Sequence, residues 1–570
     1  MSLITTLARL QAVRSGRAEP LATVRHRHLT DRPMVVVPLA AAGETGAPLA
    51  VMLGTDRAAP RLHVVLQPLD RDQRFAFLAA LAADLLPHLE SRGDDIELVE
   101  ATEKDPETGE KTAVLRELCA DAPQLIVPNP AGVHYLGLIG RSTRFRRTAD
   151  DADAGPYPVP TRVPLLGRWL THLRERSEVP GSSLLLAMTA LLTRHWATGQ
   201  SALEDQHLGA QLGWIAPPAG LSGAEAALRA ETARDTRGRL LCPPAGPATD
   251  PDFDKKWLGP AITRHDAARA AAHARAEQDV DAERYVRLAA QDLRDLLASV
   301  LRPTWDQVWQ GIDLLRALPP AAHLAERWES DRWSYTGHRD RLAAGEPPQP
   351  KHDDAVTAAR KLAQREREQA KVELQEALDD PLAMAEHRLT GEAFAGTVEH
   401  VEEAYDTSGR SPKPRPLITV RTTDHPHADL GRAVHRANGP VAQKAEIVAV
   451  DPPPQAGAGQ RGPLSGTITL RLLSGMGRKK EPAPGSVPGV GDPVCFTLFE
   501  LSVRRAAPLP DSEHTPWTHG GPPDAGRAPT PATGSSDTCS ATAATAAASG
   551  AGTAMDAAAA AAADLAEEWE

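Results

Sequence analysis

The sequence predicts a multidomain α+β protein, and three observations indicate this class. A chain of 570 residues is longer than the roughly 250–300 residues that a single hydrophobic core can serve. Two polar, proline-rich linkers, DDADAGPYPVP at 150–160 and AAGEPPQP at 343–350, divide it. From Phe394 onward the apolar residues change from a helical period to alternation. The predicted units are an α/β domain (1–150), a Trp-rich helical domain (151–350), a long stalk helix (351–392), a small β-barrel (393–508) and a disordered acidic tail (509–570).

Composition and charge limit the classes of function. Heavy use of Ala, Arg, Gly and Pro, with 4% aromatic residues, is typical of a high-GC bacterial genome. The net charge of −12 argues against a protein that coats nucleic acid by bulk electrostatics. The charge is uneven, however. Residues 394–505 carry 14 Lys/Arg and 11 Asp/Glu, a balance of +3, whereas residues 506–570 carry one Arg and nine acids, a balance of −8.

Cysteine spacing and hydropathy predict a cytoplasmic protein with free thiols. The four cysteines are too scattered for a disulfide framework or for paired zinc ligands. The N-terminal segment has the pattern of a short amphipathic helix and lacks the layout of a signal peptide. No apolar run approaches the roughly 18 residues of a membrane span. We therefore expect no membrane partner.

The first 150 residues mix strand and helix patterns. PMVVVPLAA, APLAVMLGT and RLHVVLQPL predict three strands after the opening helix. A helix over 72–89, the strand IELVE and a second helix at TAVLRELCAD follow. Helix, three strands, helix and strand is the element order of restriction-endonuclease-like nucleases. The third strand offers neither the acid nor the acid-x-Lys pair that such enzymes use to hold Mg²⁺, which argues against an active nuclease of this type.

A basic stretch, GRSTRFRR at 140–147, closes this domain. Its four arginines are candidate contacts for nucleic-acid phosphates. They are Arg141, Arg144, Arg146 and Arg147.

The segment from 151 to 350 holds eight of the ten tryptophans. Tryptophans could serve as stacking platforms for bases, but such platforms usually alternate with basic residues. The surrounding segments are mixed in charge, so we expect these tryptophans to fill the core of a helical bundle. They are Trp169, Trp196, Trp214, Trp257, Trp305, Trp309, Trp328 and Trp333.

Charged residues at helical spacing over 351–392 predict one solvated stalk helix with a thin apolar stripe. Five alternating runs after it, beginning at FAGTVEHVEEAY and ending at DPVCFTLFELSV, predict a closed or partly closed barrel. The glycine-rich GSVPGVGDPV before the last run lacks the Lys-Ser or Lys-Thr of a phosphate-binding loop and leads into a strand, so it is a turn. The hairpin GMGRKKEPAPG carries Arg478, Lys479 and Lys480 at the barrel rim, where they could contact nucleic acid.

The segment TTDHPHADLGRAVHRANG (422–439) is the densest polar cluster. Its Asp424, His425, His427 and His435 have the residue types of a metal-dependent hydrolase site. The segment lies between two predicted strands of the barrel and lacks the ββα context of an HNH nuclease site. No serine nucleophile elbow, Cys-His pair or dinucleotide fingerprint occurs elsewhere, and we expect no metal or other cofactor.

The tail ends in DLAEEWE, where Leu565 and Trp569 lie one helical turn apart among acids. A short helix with this pattern could dock in a partner's groove. The alternative is a segment that stays disordered without a partner.

A charged stalk helix followed directly by a small barrel resembles the accessory stalk and barrel of superfamily-1 helicases, of the type that includes the nonsense-mediated-decay helicases. The resemblance covers residues 351–505. Neither Walker motif occurs in the chain, so the chain is not the motor. The resemblance implies a barrel that touches nucleic acid or a separately encoded ATPase.

The sequence therefore predicts a non-catalytic accessory or scaffold protein of a nucleic-acid-processing machine, with DNA or RNA and a helicase-type ATPase as expected partners. A metal-dependent hydrolase centred on the 424–435 cluster and a scaffold with only protein partners are the alternatives.

Overall fold

The computed structural model is mixed α+β and describes most of the chain up to residue 501. The described residues are 3–41, 46–104, 111–152, 154–274, 280–408, 412–439, 442–451, 465–477 and 481–501. The predicted tail and its docking residues Leu565 and Trp569 lie outside them.

The elements before the second linker are, in chain order, α1 (Leu3–Ser15), β1 (Glu19–Pro20), β2 (Met34–Ala40), β3 (Pro48–Gly54), β4 (Arg61–Val64), α2 (Arg71–Glu90), β5 (Ile96–Lys104), β6 (Lys111–Cys119), β7 (Leu125–Val127), α3 (Pro130–Thr143), α4 (Val163–Ser177), β8 (Leu185–Ala187), α5 (Met188–His195), β9 (Trp196–Ala197), α6 (Leu208–Ile215), α7 (Gly223–Thr232), α8 (Pro251–Phe253), α9 (Gly259–Ala274), α10 (Val280–Arg316) and α11 (Leu324–Ala343). A 3₁₀ turn, Glu204–Gln206, precedes α6, and a π turn, Asp254–Leu258, joins α8 to α9. The remaining elements are α12 (Ala355–Asp379), α13 (Pro381–Leu389), β10 (Ala393–Glu402), β11 (Tyr405–Asp406), β12 (Lys413–Pro414), β13 (Leu417–Thr422), β14 (Ala433–Arg436), β15 (Gln443–Asp451), β16 (Gly466–Leu472) and β17 (Pro493–Thr497).

A five-stranded mixed sheet in the order β4-β3-β2-β7-β8 is the centre of the first 350 residues. The three predicted strands β2, β3 and β4 form an antiparallel meander, and β7 and β8 extend it in parallel from β2. Because β8 follows residue 150, the sheet contains strands from both sides of the boundary predicted there.

Both faces of this sheet are buried, which explains the unbroken apolar run MVVVPLA in β2. Met34 and Val36 face one core together with side chains of α2, α3, α4 and α11. Val35 and Val37 face a second core built with α5, α6, α9 and α10. The helices on either side of residue 150 therefore share cores with the sheet.

The tryptophans serve mainly as core residues. Of the eight between 151 and 350, five are at most 8% exposed and the other three are half-buried. Two of the ring N–H groups reach acceptors elsewhere in the fold: Trp305 donates to the Arg57 carbonyl at 3.0 Å and Trp328 to Asp121 at 3.1 Å. This burial favours the packing interpretation over stacking platforms for bases.

The helix predicted at TAVLRELCAD is wrong, because these residues form strand β6. β6 pairs with β5 along its whole length, from Ile96 opposite Cys119 to Lys104 opposite Lys111. α11 supports the hairpin, since the Cys119 amide donates to Thr336 and its carbonyl accepts from Arg332. These non-local partners outweigh local helix propensity.

The single stalk helix predicted over 351–392 is instead two helices, α12 and α13, that meet at Asp380. Pro381 has no N–H and cannot continue α12. The Asp380 side chain caps α13 by accepting from the Leu382 amide at 3.0 Å. The stalk therefore turns at a point where it also contacts the body.

Asp380 also binds the N-terminal segment of the chain. Its carboxylate accepts from the Thr23 amide and hydroxyl, both at 2.9 Å, and from His26 Nε2 at 3.2 Å. Burial opposes the charged form, but the bonds from His26, Leu382 and Thr23 outweigh it and lower the pKa of Asp380 to about 2.

Two more acids at the end of α12 bind cations or imidazoles of the body. We call these acids, together with Asp380, the junction cluster. The pairs are Glu376 with Arg27 (3.2 Å) and Arg194 (2.6 Å), and Asp379 with His323 (2.6 Å) and Arg327 (3.4 Å).

The barrel is closed by six strands in the order β10-β13-β16-β15-β14-β17. The five predicted runs are all strands, and the sixth, β14, lies inside the segment predicted as a loop between strands. β14 has only four residues, of which Val434 and Arg436 face inward. It is therefore too short to show the alternation of apolar and polar residues by which a strand is predicted. Phe394 and Phe496 stack inside the barrel at 5.8 Å between ring centroids.

None of the described helices combines the length and the apolarity needed to cross a bilayer. The described cysteines Cys119, Cys242 and Cys495 are free thiols.

Replacing Asp380 with Ala should destabilise the protein by about 3 kcal/mol, because it removes a helix cap and leaves the buried His26 ring and the donors of Thr23 without their acceptor. Asp354→Ala is the matched control, since Asp354 caps α12 in an exposed position and should cost about 1 kcal/mol. Urea unfolding followed by tryptophan fluorescence measures both losses. Equal losses would contradict a tertiary role for Asp380.

A buried pair of histidines predicts that the folded protein loses stability in acid. The rings of His172 and His338 stack with centroids 4.1 Å apart against Trp169. Burial, then Arg341 and Arg176, lowers the pKa of His172 to about 3, and burial, then His172, lowers that of His338 to about 2. The unfolded chain binds protons near pH 6.5 while the folded chain does not, so stability is complete above about pH 6.5 and falls as the pH drops toward 3.

His338→Phe keeps an aromatic ring in this stack and removes one titrating group. Between pH 7.5 and pH 5 the free energy of unfolding should therefore fall by about 2 kcal/mol less in the variant than in the wild type. Urea titrations at the two pH values test this expectation, and an unchanged pH dependence would show that His338 does not contribute.

Candidate nucleic-acid interface

Helices α3 and α4 form the candidate interface, and glycines let them pack closely. Asn129 caps α3 by accepting from the Gly132 amide at 3.0 Å. A Cβ added at Gly137 would lie 2.6 Å from Cγ of Arg174, and one added at Gly140 would lie 2.7 Å from the Thr171 amide. Such distances are too short for a real side chain, so glycine is required where the helices cross.

This close packing brings three basic side chains together, which we call the arginine patch. Its members are His134 and Arg141 on α3 and Arg174 on α4. The Arg174 guanidinium donates to His134 Nδ1 at 3.3 Å and pairs with Glu178 at 2.6 Å. Glu178 also pairs with Arg365 of the stalk.

The electrostatics of the patch reflect crowding of like charges. Partial desolvation by neighbouring groups, then Arg174, lowers the pKa of Arg141, although the residue as a whole is exposed. Burial, then Arg174 and Arg141, lowers the pKa of His134. Glu178 opposes both shifts. An anion bound at the patch would relieve this repulsion, and guanidinium groups bind phosphate oxygens with charge-assisted hydrogen bonds.

The structure separates the four arginines predicted as phosphate contacts. Arg141 lies exposed in the patch and Arg147 is exposed beyond the end of α3. Arg144 is buried and donates to the backbone carbonyls of Gln349 and Pro350 at 2.9 and 3.1 Å. Arg146 is half-buried, and its Nε donates to the Ser142 carbonyl at 3.4 Å.

Sequence reasoning missed Arg174, because it lies on another helix far along the chain, and missed His134, because it lies in α3 before the basic stretch. The available signal was the pair Gly137 and Gly140 within an apolar helix, which indicates a close helix crossing. It does not say which helix is crossed. Arg478, Lys479 and Lys480 at the predicted barrel rim lie outside the described residues.

The Asp/His cluster of the hydrolase alternative is not gathered into one site. Asp424 accepts from Nε and Nη2 of Arg388 at 2.7 and 3.0 Å and from the Ala395 amide at 2.8 Å, which ties α13 to the barrel. His425 and His427 are exposed in the loop that follows. Among the described residues, no group of three or more His, Cys, Asp or Glu side chains is placed to hold a metal ion.

His435 lies in strand β14, opposite Lys444 of β15. Burial, then Lys444, lowers the pKa of His435. With His387, it lines an open groove of about 880 Å³ between the stalk and the barrel. His387 pairs there with Glu392 at 2.8 Å, so the groove mixes cationic and anionic groups.

No protein-family model, curated protein or solved structure matches the chain. The chemistry of its own residues therefore carries the functional inference.

Asp424→Ala should lower stability by about 2 kcal/mol without changing the metal content of the purified protein, because it removes the partner of Arg388 and of the Ala395 amide. Asp429→Ala, which changes an exposed acid of the same segment, is the control and should have little effect. Urea unfolding followed by far-UV circular dichroism and elemental analysis measure both properties. A stoichiometric metal that is lost in Asp424→Ala and in His425→Ala/His427→Ala would support the hydrolase instead.

Proposed function

We propose that the chain is a non-catalytic accessory or scaffold protein of a bacterial nucleic-acid-processing machine, in the cytoplasm, acting with a separately encoded ATPase or helicase. It binds the sugar-phosphate backbone of DNA or RNA and holds its barrel at a set position beside that nucleic acid. The observation that carries the proposal is the arginine patch, where His134, Arg141 and Arg174 lie together beside the carboxylate of Glu178.

Two attachments of the stalk support a scaffold. At the joint between α12 and α13 the junction cluster binds residues of the body. At the end of the stalk next to the barrel, Arg388 of α13 binds Asp424 of the barrel, and Met384 packs with Ala393 where β10 begins. The buried acids of the junction cluster and the partly buried Arg388–Asp424 pair oppose free swinging of the barrel, because breaking these contacts leaves charges uncompensated.

The edge of the central sheet supports a non-catalytic protein. Open α/β sheets bind substrates outside the carboxyl ends of their strands, where the strand order reverses. Here residues 246–249 cover that edge between β2 and β7. The Ala40 amide donates to the Pro247 carbonyl at 2.7 Å, and the Asn129 side chain donates to the Gly246 carbonyl at 2.7 Å.

Binding to labelled single- and double-stranded DNA and RNA should be micromolar or tighter at low salt and should weaken as salt rises. Arg141→Ala should raise Kd by about threefold to tenfold at ~0.1 M salt and reduce the salt slope by about one, because one phosphate contact is lost. Fluorescence anisotropy over a salt series measures both quantities, with tail-deleted protein beside the full chain since the tail is acidic.

Two further variants sharpen the test. Arg229→Ala removes an exposed arginine from α7, outside the patch, and should bind like the wild type. The triple change of Arg478, Lys479 and Lys480 to Ala reports the barrel rim separately. Absence of binding at low salt would remove nucleic acid as a direct ligand and leave a scaffold with protein partners only.

A further inference from the structure

A cavity of about 410 Å³ lies at the carboxyl end of β2, on the outer side of the segment that covers the sheet edge. Leu39 from the end of β2 contributes to its wall, as do Ala248 and Thr249 of the covering segment. The volume lies within the roughly 300–1,000 Å³ of small-molecule sites. The cavity is also beside the position where open α/β sheets bind ligands.

The walls of the cavity are largely apolar. Phe253 ends α8, Trp257 lies in the π turn that follows, and Val300 and Pro303 come from α10. A cavity with aromatic and aliphatic walls and a few charged groups at its rim is typical of a site for a small organic molecule.

The charged rim is a loop held in one conformation, residues 234–241, which we call the rim loop. Asp235 accepts from the Arg237 and Arg239 amides, both at 2.9 Å, and pairs with the Arg239 guanidinium at 2.9 Å. Arg239 also donates to Ser299 of α10 at 3.1 Å. Gly238 adopts φ +82° at the turn. A rim fixed in this way does not need to be ordered when a ligand binds.

The balance of charge around the cavity is positive. Four cationic and three anionic side chains line it. Arg239 neutralises Asp235, and Lys256 pairs with Asp252 at 2.6 Å. Asp250 accepts from the Asp252 amide at the start of α8.

Two arginines remain at the rim. Within the described part of the chain, neither Arg234 nor Arg237 forms an ion pair, although the Arg234 guanidinium donates to the Gly238 carbonyl at 2.9 Å. Guanidinium groups in this situation favour a carboxylate, sulfonate or phosphate.

We propose that this cavity binds a small aromatic anion, with its ring against Phe253, Trp257 and Val300 and its anionic group at Arg234 and Arg237. The ligand would act as a regulator or structural cofactor. The inference is independent of nucleic-acid binding, because the cavity shares no residue with the arginine patch.

The test uses two fluorescent probes that share one aromatic skeleton. 1-Anilinonaphthalene-8-sulfonate carries the anionic group, and N-phenyl-1-naphthylamine lacks it. The full-length protein should bind one sulfonate probe per chain, and the uncharged probe should bind at least about fivefold more weakly.

Variants locate the site. Arg237→Ala changes an exposed side chain and should weaken the sulfonate probe by about fivefold. Ala248→Trp should abolish binding by filling the cavity, and Arg229→Ala is the matched control.

Hydrogen exchange with bound probe should show protection at the rim loop and at 299–303, which locates the site even if Ala248→Trp does not fold. Unchanged affinity in Arg237→Ala, equal affinity for the two probes, or protection elsewhere would overturn the proposal.

Discussion

The carboxylates at the end of α12 are the constraint on which the arrangement of the chain depends. A buried carboxylate is tolerated only where cations and hydrogen-bond donors replace its water. The partners of Glu376, Asp379 and Asp380 come from three separate segments, residues 23–27, Arg194 and 323–327. The end of α12 can therefore occupy this position only when those three segments are already assembled. The direction of α13, and with it the position of the barrel, follows from that requirement.

The close packing of α3 against α4 determines where the side chains of the arginine patch lie. Gly137 and Gly140 allow α3 and α4 to approach until a single added carbon would clash. Side chains that emerge beside such a crossing are forced near one another. Arg141 and Arg174 are therefore held together despite their like charges, and the energy of packing stabilises an arrangement that electrostatics alone would oppose.

The two faces of the central sheet and its carboxyl edge have different surroundings. The faces of the sheet are covered by helices on both sides and contribute stability through burial of apolar side chains. Its carboxyl edge is covered by the chain's own residues 246–249, and the cavity lies beyond this cover. Although the net charge is −12, cationic side chains gather at the arginine patch and at the rim loop, where local geometry matters more than the total charge.

Local patterns in the sequence determined several strands of the central sheet and most strands of the barrel. Alternation and unbroken apolar runs predicted β2, β3 and the five longer barrel strands. These patterns can be recognised in the sequence because each depends only on residues a few positions apart.

Only the tertiary structure decided the rest, since pairing between distant segments is absent from any short window of sequence. It placed TAVLREL in a hairpin, added β14 to the barrel and β8 to the sheet, and bound Asp424 to Arg388 instead of gathering it with histidines. It also placed Arg174 beside Arg141 and buried Arg144. The free energies that decide these placements are those of burial, packing and ion pairing between residues far apart in the chain.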